Sequence, residues 1–324
     1  MPFFSARPSA VFGVRSKRGI LPFLLRQVIT TGYVAAGYKD SSPWRNVNSL
    51  DMSTDTCTNR GDLLQTASAY SGGMHGRNNG FILGADGMGD GTTVASFNMR
   101  NNTTYTKPAG LVLNWAVGSS GTVMSQNQDG DYLKAWNWTG AGGTTQLHTF
   151  NLITEATTTA LNTSWGGAGT SNQIMDELYG YIWDDSNART LKIQYATDGL
   201  TNAGLVSGFH GQQKGLSAKT GRGYAGNEGN YQGGNSFRIS NFATQTNIGT
   251  VAKPIQDSGE ENYVTGQDRG YMLGMYGAPG SIQSNRSFRF NYSTQSGSEL
   301  GASGQPSGGI ATAGRSSGIG MWRD

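Results

Sequence analysis

The chain has 324 residues, 50 of them glycine, with 14% charged, 35% hydrophobic and 10% aromatic side chains. Glycine at this level without a triplet period excludes collagen, and a cost of about 1 kcal/mol per interior position against alanine argues against long helices. A net charge of +3 is too small and too dispersed to recruit nucleic acid, and aromatics spread along the whole length exclude a disordered low-complexity chain.

Residues 1–19 read as an arm ahead of the first regular element. There Phe3, Phe4 and Phe12 stand close to Arg15, Lys17 and Arg18. Aromatic and arginine side chains are enriched at protein interfaces, and an arm of this composition is sticky when left in water. These six are therefore the candidate partner-docking residues. The start does not read as a secretion signal: its apolar run, Ile20 to Leu25, is broken by Pro22, closed by Arg26 and followed by no small-residue cleavage site. "FLLRQVI" reads instead as a strand. No apolar run reaches the roughly 18 residues of a membrane helix, so no membrane partner is expected.

From Gly32 onward one phrase recurs. "GYVAAGY" is followed by "GFILGAD" at Gly80, "GDYLKAW" at Gly130, "YGYIWDD" at Tyr179, "GYAGNEG" at Gly223 and "GYMLGMY" at Gly270. A second landmark keeps step with it, a large apolar residue just before a turn: Leu50, Phe97, Phe150, Tyr195, Phe242 and Phe290. Their successive separations are 47, 53, 45, 47 and 48 residues. Thr54, Thr154, Thr246 and Thr294 stand four places further on, with the turn formers Asn101 and Gly199 in the other two units. Each unit reads as a small antiparallel sheet whose glycine-flanked phrase is the inner strand, where neighbouring units crowd together. A period near fifty with four short strands is the pattern of a β-propeller blade. A β-sandwich with coincidental spacing is the competing reading.

The stretches "GYMLGMYG…FRFNYST" and "GYVAAGY…LDMSTDT" resemble the kelch repeat, although the glycine doublet is missing in most units. The resemblance covers roughly residues 20 to 322. It implies an all-β chain, a propeller of six four-stranded kelch-like blades (alternatively seven), with N- and C-terminal extensions. The expected organisation is a docking arm over 1–19, the propeller over 20–300, and a segment over 301–324 that closes the propeller or contacts a neighbour. "GGIATAGRSSGIGMW" at Gly308 to Trp322 resembles "ENYVTGQDRGYMLGMY" and so carries a strand pair suited to closure.

The residues that could carry catalytic chemistry are scattered along the chain. His75, His148 and His210 fall in different units without metal-ligand spacing. Some kelch-like oxidases use copper with a cysteine–tyrosine crosslink and two histidines, but the surroundings of Cys57 do not support that here. "GASGQ" and "GSSG" sit in turns without the helix a nucleophile elbow needs. "ADGMGDG" and "NQDGDY" read as hairpin turns in preference to Ca²⁺ loops. Trp136 and Trp138 share one face of a strand and read as core. Tyr181, Trp183, Asp184 and Asp185 put carboxylates beside aromatics, which suits a glycosidase or a glycan-binding patch, with a solvated strand edge as the competing reading. No cofactor is expected.

The low charge and the Gly/Thr/Asn/Ser-rich units resemble kelch-like structural proteins of tailed bacteriophage particles, such as those of cyanophages. The resemblance implies a non-enzymatic virion component of the tail, neck, baseplate or fibre attachment. It would be assembled in the host cytoplasm with other virion proteins as multi-copy partners. The alternatives are a receptor-binding module for host glycan and a polysaccharide-degrading enzyme on a propeller scaffold.

Overall fold

The computed structural model describes residues 31–36, 38–39, 42–43, 45–66, 72–76, 78–83, 94–109, 111, 123–126, 134–141, 144–151, 153–163, 174–175, 179–184, 189–194, 196–202, 215–218, 222–227, 236–241, 246–252, 260–266, 268–277, 282–300 and 317–319. These residues form only strands and turns. Four-stranded antiparallel sheets follow one another along the chain. The second sheet comprises Gly72–His75, Asn79–Leu83, Val94–Asn98 and Thr103–Thr104, paired in that order. The third is Val123–Gln126, Lys134–Ala141, Thr144–Asn151 and Ala156–Thr163. The fourth is Ile174–Met175, Tyr179–Asp184, Arg189–Gln194 and Gly199–Asn202, and the fifth is Gly215–Ala218, Arg222–Asn227, Ser236–Asn241 and Thr246–Ala252. Glu260–Thr265, Arg269–Gly277, Ile282–Asn291 and Ser296–Glu299 make the sixth.

The first sheet is assembled from both ends. Thr31–Ala35, Asn46–Asp51 and Thr56–Asp62 run in chain order, but the edge position before Thr31–Ala35 is taken by Ser317–Ile319. Tyr33 pairs with Ile319, Val34 with Gly318 and Ala35 with Ser317. The leading edge strands also meet one another. Gly72–His75 touches Val123–Gln126, and contacts continue through Ile174–Met175 and Gly215–Ala218 to Glu260–Thr265. Glu260–Thr265 touches Ser317–Ile319, which in turn touches Gly72–His75. This is an all-β, propeller-like fold.

The glycine-flanked phrase is not the inner strand. "GYVAA", "GFIL" and "GYMLG" lie second in their sheets, one place out from the strands that meet at the edge. A tight reversal explains the shift. The amide of Gly76 donates to Asn79 O at 2.8 Å and that of Gly266 to Arg269 O at 2.9 Å, so "GGMH" and "EENYVT" fold directly back onto the phrase and join its own sheet. The sequence marks the hairpin without saying which sheet owns its first strand.

Both faces of the first sheet are covered, which is why "YVAA" is apolar without alternation. Tyr33, Ala35 and Val47 pack against Ile82, Ala95 and Phe97 of the second sheet. Val34, Leu50 and Cys57 pack instead against Val264, Tyr271 and Leu273 of the sixth. A strand buried on two sides reads as a continuous apolar run.

The glycine itself has a local cause. Gly80 pairs with Phe97 across the strands, and a Cβ added there would lie 2.5 Å from Phe97 Cε1. The fully buried ring of Phe97 lies over the glycine backbone. The same register sets Gly32 opposite Leu50, Gly180 opposite Ile193, Gly223 opposite Ser240 and Gly270 opposite Phe290. In the third sheet the position opposite Phe150 is Ala135, not Gly130. The matched residues of the fourth and fifth sheets are thus Ile193 and Ser240, two places before the expected Tyr195 and Phe242, which lie outside the described residues.

Candidate functional site

Among the described residues, polar side chains gather at the turn between the third and fourth strands of the first, second, third, fourth and sixth sheets. The turn opens on a residue whose side-chain oxygen accepts from the backbone. Asp51 Oδ1 takes the Ser53 amide at 2.8 Å, and Asn98 Oδ1 takes those of Arg100 and Asn101 at 2.9 and 3.2 Å. Asn151 binds the amides of Ile153 and Thr154 at 2.9 and 3.0 Å, and Asn291 those of Ser293 and Thr294 at 2.9 and 3.2 Å. Short Asx side chains reach their own backbone two and three residues on, and so hold a turn. Hydrogen bonds from Ser53 accordingly keep the Asp51 carboxyl below the usual carboxylate range. Gln194 is one methylene longer, and here the Thr197 hydroxyl bonds Gln194 Oε1 at 3.1 Å and accepts the Gly199 amide at 3.2 Å.

Four residues after that opening residue the backbone turns left-handed. Asp55 (φ 56°), Asn102 (φ 54°), Glu155 (φ 54°), Asp198 (φ 56°) and Gln295 (φ 52°) all adopt it. This conformation aims two of the carboxylates at the preceding sheet. Glu155 Oε1 accepts from Asn79 Nδ2 at 2.7 Å, and its other oxygen accepts the Tyr105 hydroxyl. Burial, and then Glu155, push the Tyr105 hydroxyl up to about 12. Asp55 does the same toward the sixth sheet. Its Oδ1 accepts the Tyr271 hydroxyl at 2.6 Å and lies 3.8 Å from Arg269 Nη1, while Oδ2 pairs with Arg289 Nη1. Burial, reinforced by Asp55, holds the Tyr271 hydroxyl far above its ordinary range.

A tyrosine tie links the first sheet to the sheet on each side of it. Tyr33 donates to Met99 O at 2.7 Å, and the Tyr271 hydroxyl, sharing its one proton with Asp55, bonds Met52 O at 3.0 Å. Tyr33 and Tyr271 hold equivalent places in the glycine–aromatic phrase. Met99 and Met52 each directly follow the residue that opens the turn. Tyr33 also lies against Phe97 with ring centroids 5.3 Å apart, and Tyr224 against Phe290 at 5.1 Å. The ring from one sheet therefore packs on the landmark aromatic of the next. Nothing in the sequence marks Asp55 or Glu155 beyond membership of a turn.

Of the residues singled out from sequence, Phe3, Phe4, Phe12, Arg15, Lys17, Arg18 and Asp185 lie outside the described residues. Tyr181, Trp183 and Asp184 lie on the strand Tyr179–Asp184, with backbones opposite Lys192, Thr190 and Arg189. The Lys192 ammonium stands 3.6 Å from the centre of the neighbouring Tyr179 ring. Cys57 is buried, and burial pushes its thiol up to about 12. His75 is buried with Nδ1 donating to Gly76 O at 2.9 Å. His148 lies mid-strand opposite Asn137 and Ala160, and His210 is outside the described residues. Trp136 takes the register position that Tyr33, Phe81, Tyr224 and Tyr271 occupy as buried rings. Among the described residues no three His, Cys, Asp or Glu side chains converge as a metal site, and no helix is long and apolar enough to cross a membrane.

No protein-family model matches the chain, and no curated protein matches it. Solved structures do. YjhT superposes with a TM-score of 0.58 at 12% identity, over 83% of this chain and 94% of its own. At that identity the likeness concerns the fold, which in YjhT is a kelch-like propeller. Hydrazine synthase of Kuenenia stuttgartiensis aligns at 8% identity with a TM-score of 0.40, over 59% of this chain and 49% of its own.

Proposed function

We propose that this chain is a closed ring of six kelch-like blades acting as a rigid docking platform in the virion of a tailed bacteriophage, without chemistry of its own. The observation that carries the ring is the Tyr271 hydroxyl bonded to Met52 O, between residues 219 apart in sequence. It repeats the Tyr33–Met99 tie between the first two sheets and so treats the last and first sheets as ordinary neighbours. Ser317–Ile319 supplies the missing inner strand of the first blade. Such ties favour rigidity: the turn carboxylates Asp55 and Glu155 are occupied in holding one sheet to the next.

The virion assignment rests on the resemblance in composition and unit style. In this reading the arm over 1–19 docks on other virion proteins in a symmetric multi-copy assembly, and burial of its phenylalanines drives attachment. Quantitative mass spectrometry of density-banded particles tests it. A fixed copy number that is a multiple of three, five, six or twelve supports it, and absence from the particles overturns it. A chain lacking residues 1–19 should fold and yet fail to enter particles. Glycan-array binding that disappears in Trp183→Ala would move the reading to host-glycan recognition.

A further inference from the structure

We propose that the junction between the first and sixth sheets is a charge-operated clasp, the joint at which the ring opens, with Asp55 as its pin. The proposal rests on the closed-ring reading. At every junction the chain runs covalently from one sheet into the next, and at this one it delivers Ser317–Ile319 to the first sheet. Among the described residues, that strand is held to the rest of the first sheet by the three residue pairs that tie it to Thr31–Ala35, and the first and sixth sheets are otherwise joined by side chains.

Its chemistry differs from that of the other described ties. Between the first and second sheets the tie is a tyrosine hydroxyl on a backbone carbonyl, and the left-handed turn residue is the neutral Asn102. Between the second and third, Glu155 meets an amide and a phenol, both neutral donors. Asp55 instead stands between two guanidiniums, Arg269 and Arg289, and takes the Tyr271 hydroxyl on the same carboxylate. Its side chain is 19% exposed, those of the arginines 34% and 35%. Charge-assisted bonds of this kind are about twice as strong as neutral ones. Unlike neutral bonds they weaken with salt wherever water reaches them. Removing the negative charge leaves two guanidiniums on the sixth sheet with no counter-charge across the joint. Closing a ring over more than two hundred residues is the entropically dearest contact in the fold, and among the ties described above it carries the most charge.

Hydrogen exchange read by mass spectrometry on the full chain tests the clasp. In Asp55→Asn, amides of Thr31–Ala35 and Arg269–Gly277 should exchange at least about tenfold faster, the size expected for losing a charge-assisted bond. Those of Thr144–Asn151 should keep their rate. Raising salt from about 0.05 M to about 1 M should quicken the same two strands in the unaltered protein and add little in Asp55→Asn. Glu155→Gln should leave the joint as it was. Exchange that rises evenly over all sheets, or equally in both variants, overturns the clasp. If Asp55→Asn fails to fold, the salt series on the unaltered chain decides by the same criterion. A thiol-to-thiol cross-link across the joint, made with a bismaleimide long enough to span the lost ion pair between Asp55→Cys and Arg289→Cys, separates the two readings. If it does not form, the first and sixth sheets are not neighbours and the ring falls with the clasp. If it forms and exchange stays even, the ring stands and the clasp falls.

Discussion

Gly80→Ala is a one-carbon test of the claim that the repeated glycine exists to admit a cross-strand ring. The new Cβ would lie 2.5 Å from Cε1 and 2.6 Å from Cζ of Phe97, against the roughly 3.5–4.0 Å at which carbon atoms rest. The ring must therefore retreat by about 1 Å. It has nowhere to go. Phe97 is fully buried and lies against Tyr33, whose hydroxyl is tied to Met99 O. Overpacking of this kind costs about 1–3 kcal/mol. The lower chain entropy of alanine returns about 0.5–1 kcal/mol, so a net loss of about 1–2 kcal/mol is expected. Chemical denaturation of Gly80→Ala, Phe97→Leu and the double variant measures it as a cycle. Phe97→Leu alone should cost more than Gly80→Ala, because it empties part of the core. In the double variant the smaller side chain should accept the methyl group, so the losses should fall short of additivity by about 1 kcal/mol. Stability of Gly80→Ala equal to the parent, or losses additive within about 0.5 kcal/mol, would refute the close-approach argument and leave the glycine unexplained.

Two further predictions concern the thiol and the turns. Burial raises the Cys57 thiol from 9.0 to about 12; a group raised in the folded state contributes stability that is whole below its unfolded value and lost as pH climbs through the folded one. Denaturation midpoints should therefore fall between about pH 9 and 12, less steeply in Cys57→Ala, and thiol reagents should label Cys57 only on unfolding; equal slopes in the two proteins would sink this. Gln295→Gly should stabilise the fold by about 0.5 kcal/mol by removing left-handed strain, which costs a non-glycine residue about 1 kcal/mol. Glu155→Gly relieves the same strain but strands Asn79 and Tyr105, and should cost about 2 kcal/mol net; equal effects in the two thermal melts would deny Glu155 any role between sheets.

The all-β class and a period near fifty were legible because two local causes print themselves on the sequence. A ring over a glycine needs both residues of the pair, and a hairpin needs an Asx or Thr at its opening. Where either cause is met by other means, the signal slips. The third sheet puts Ala135 opposite Phe150, and Gly130, five residues earlier, carries the phrase in the sequence instead. In the fourth sheet Ile193 fills the buried landmark place, and Gln194 with Thr197 replaces the Asx turn, while Tyr195 two residues later carries the aromatic of the repeat in the sequence. The one-strand error in assigning the inner position has a different source. Hairpins within a sheet and connections between sheets use the same glycine-rich turns, and local sequence does not tell them apart.

The ties between sheets were not legible at all, for a reason of distance. Asp55 reads as the fifth residue of "DMSTDT", one turn former among several. Its partners Tyr271 and Arg289 lie 216 and 234 residues away, and only the placement of the sixth sheet beside the first brings them together. The left-handed turn is what makes the arrangement systematic. It fixes the direction in which the side chain leaves the hairpin, and at Asp55 and Glu155 that direction leads to the neighbouring sheet. A carboxylate there then finds whatever the neighbour offers, an amide and a phenol for Glu155, two guanidiniums and a phenol for Asp55. The backbone repeats while the tie varies, and a repeat search is blind to such variation because it averages the position away. Residues five beyond the landmark, at the left-handed position of the turn, are accordingly where differences between the junctions of this fold should be sought.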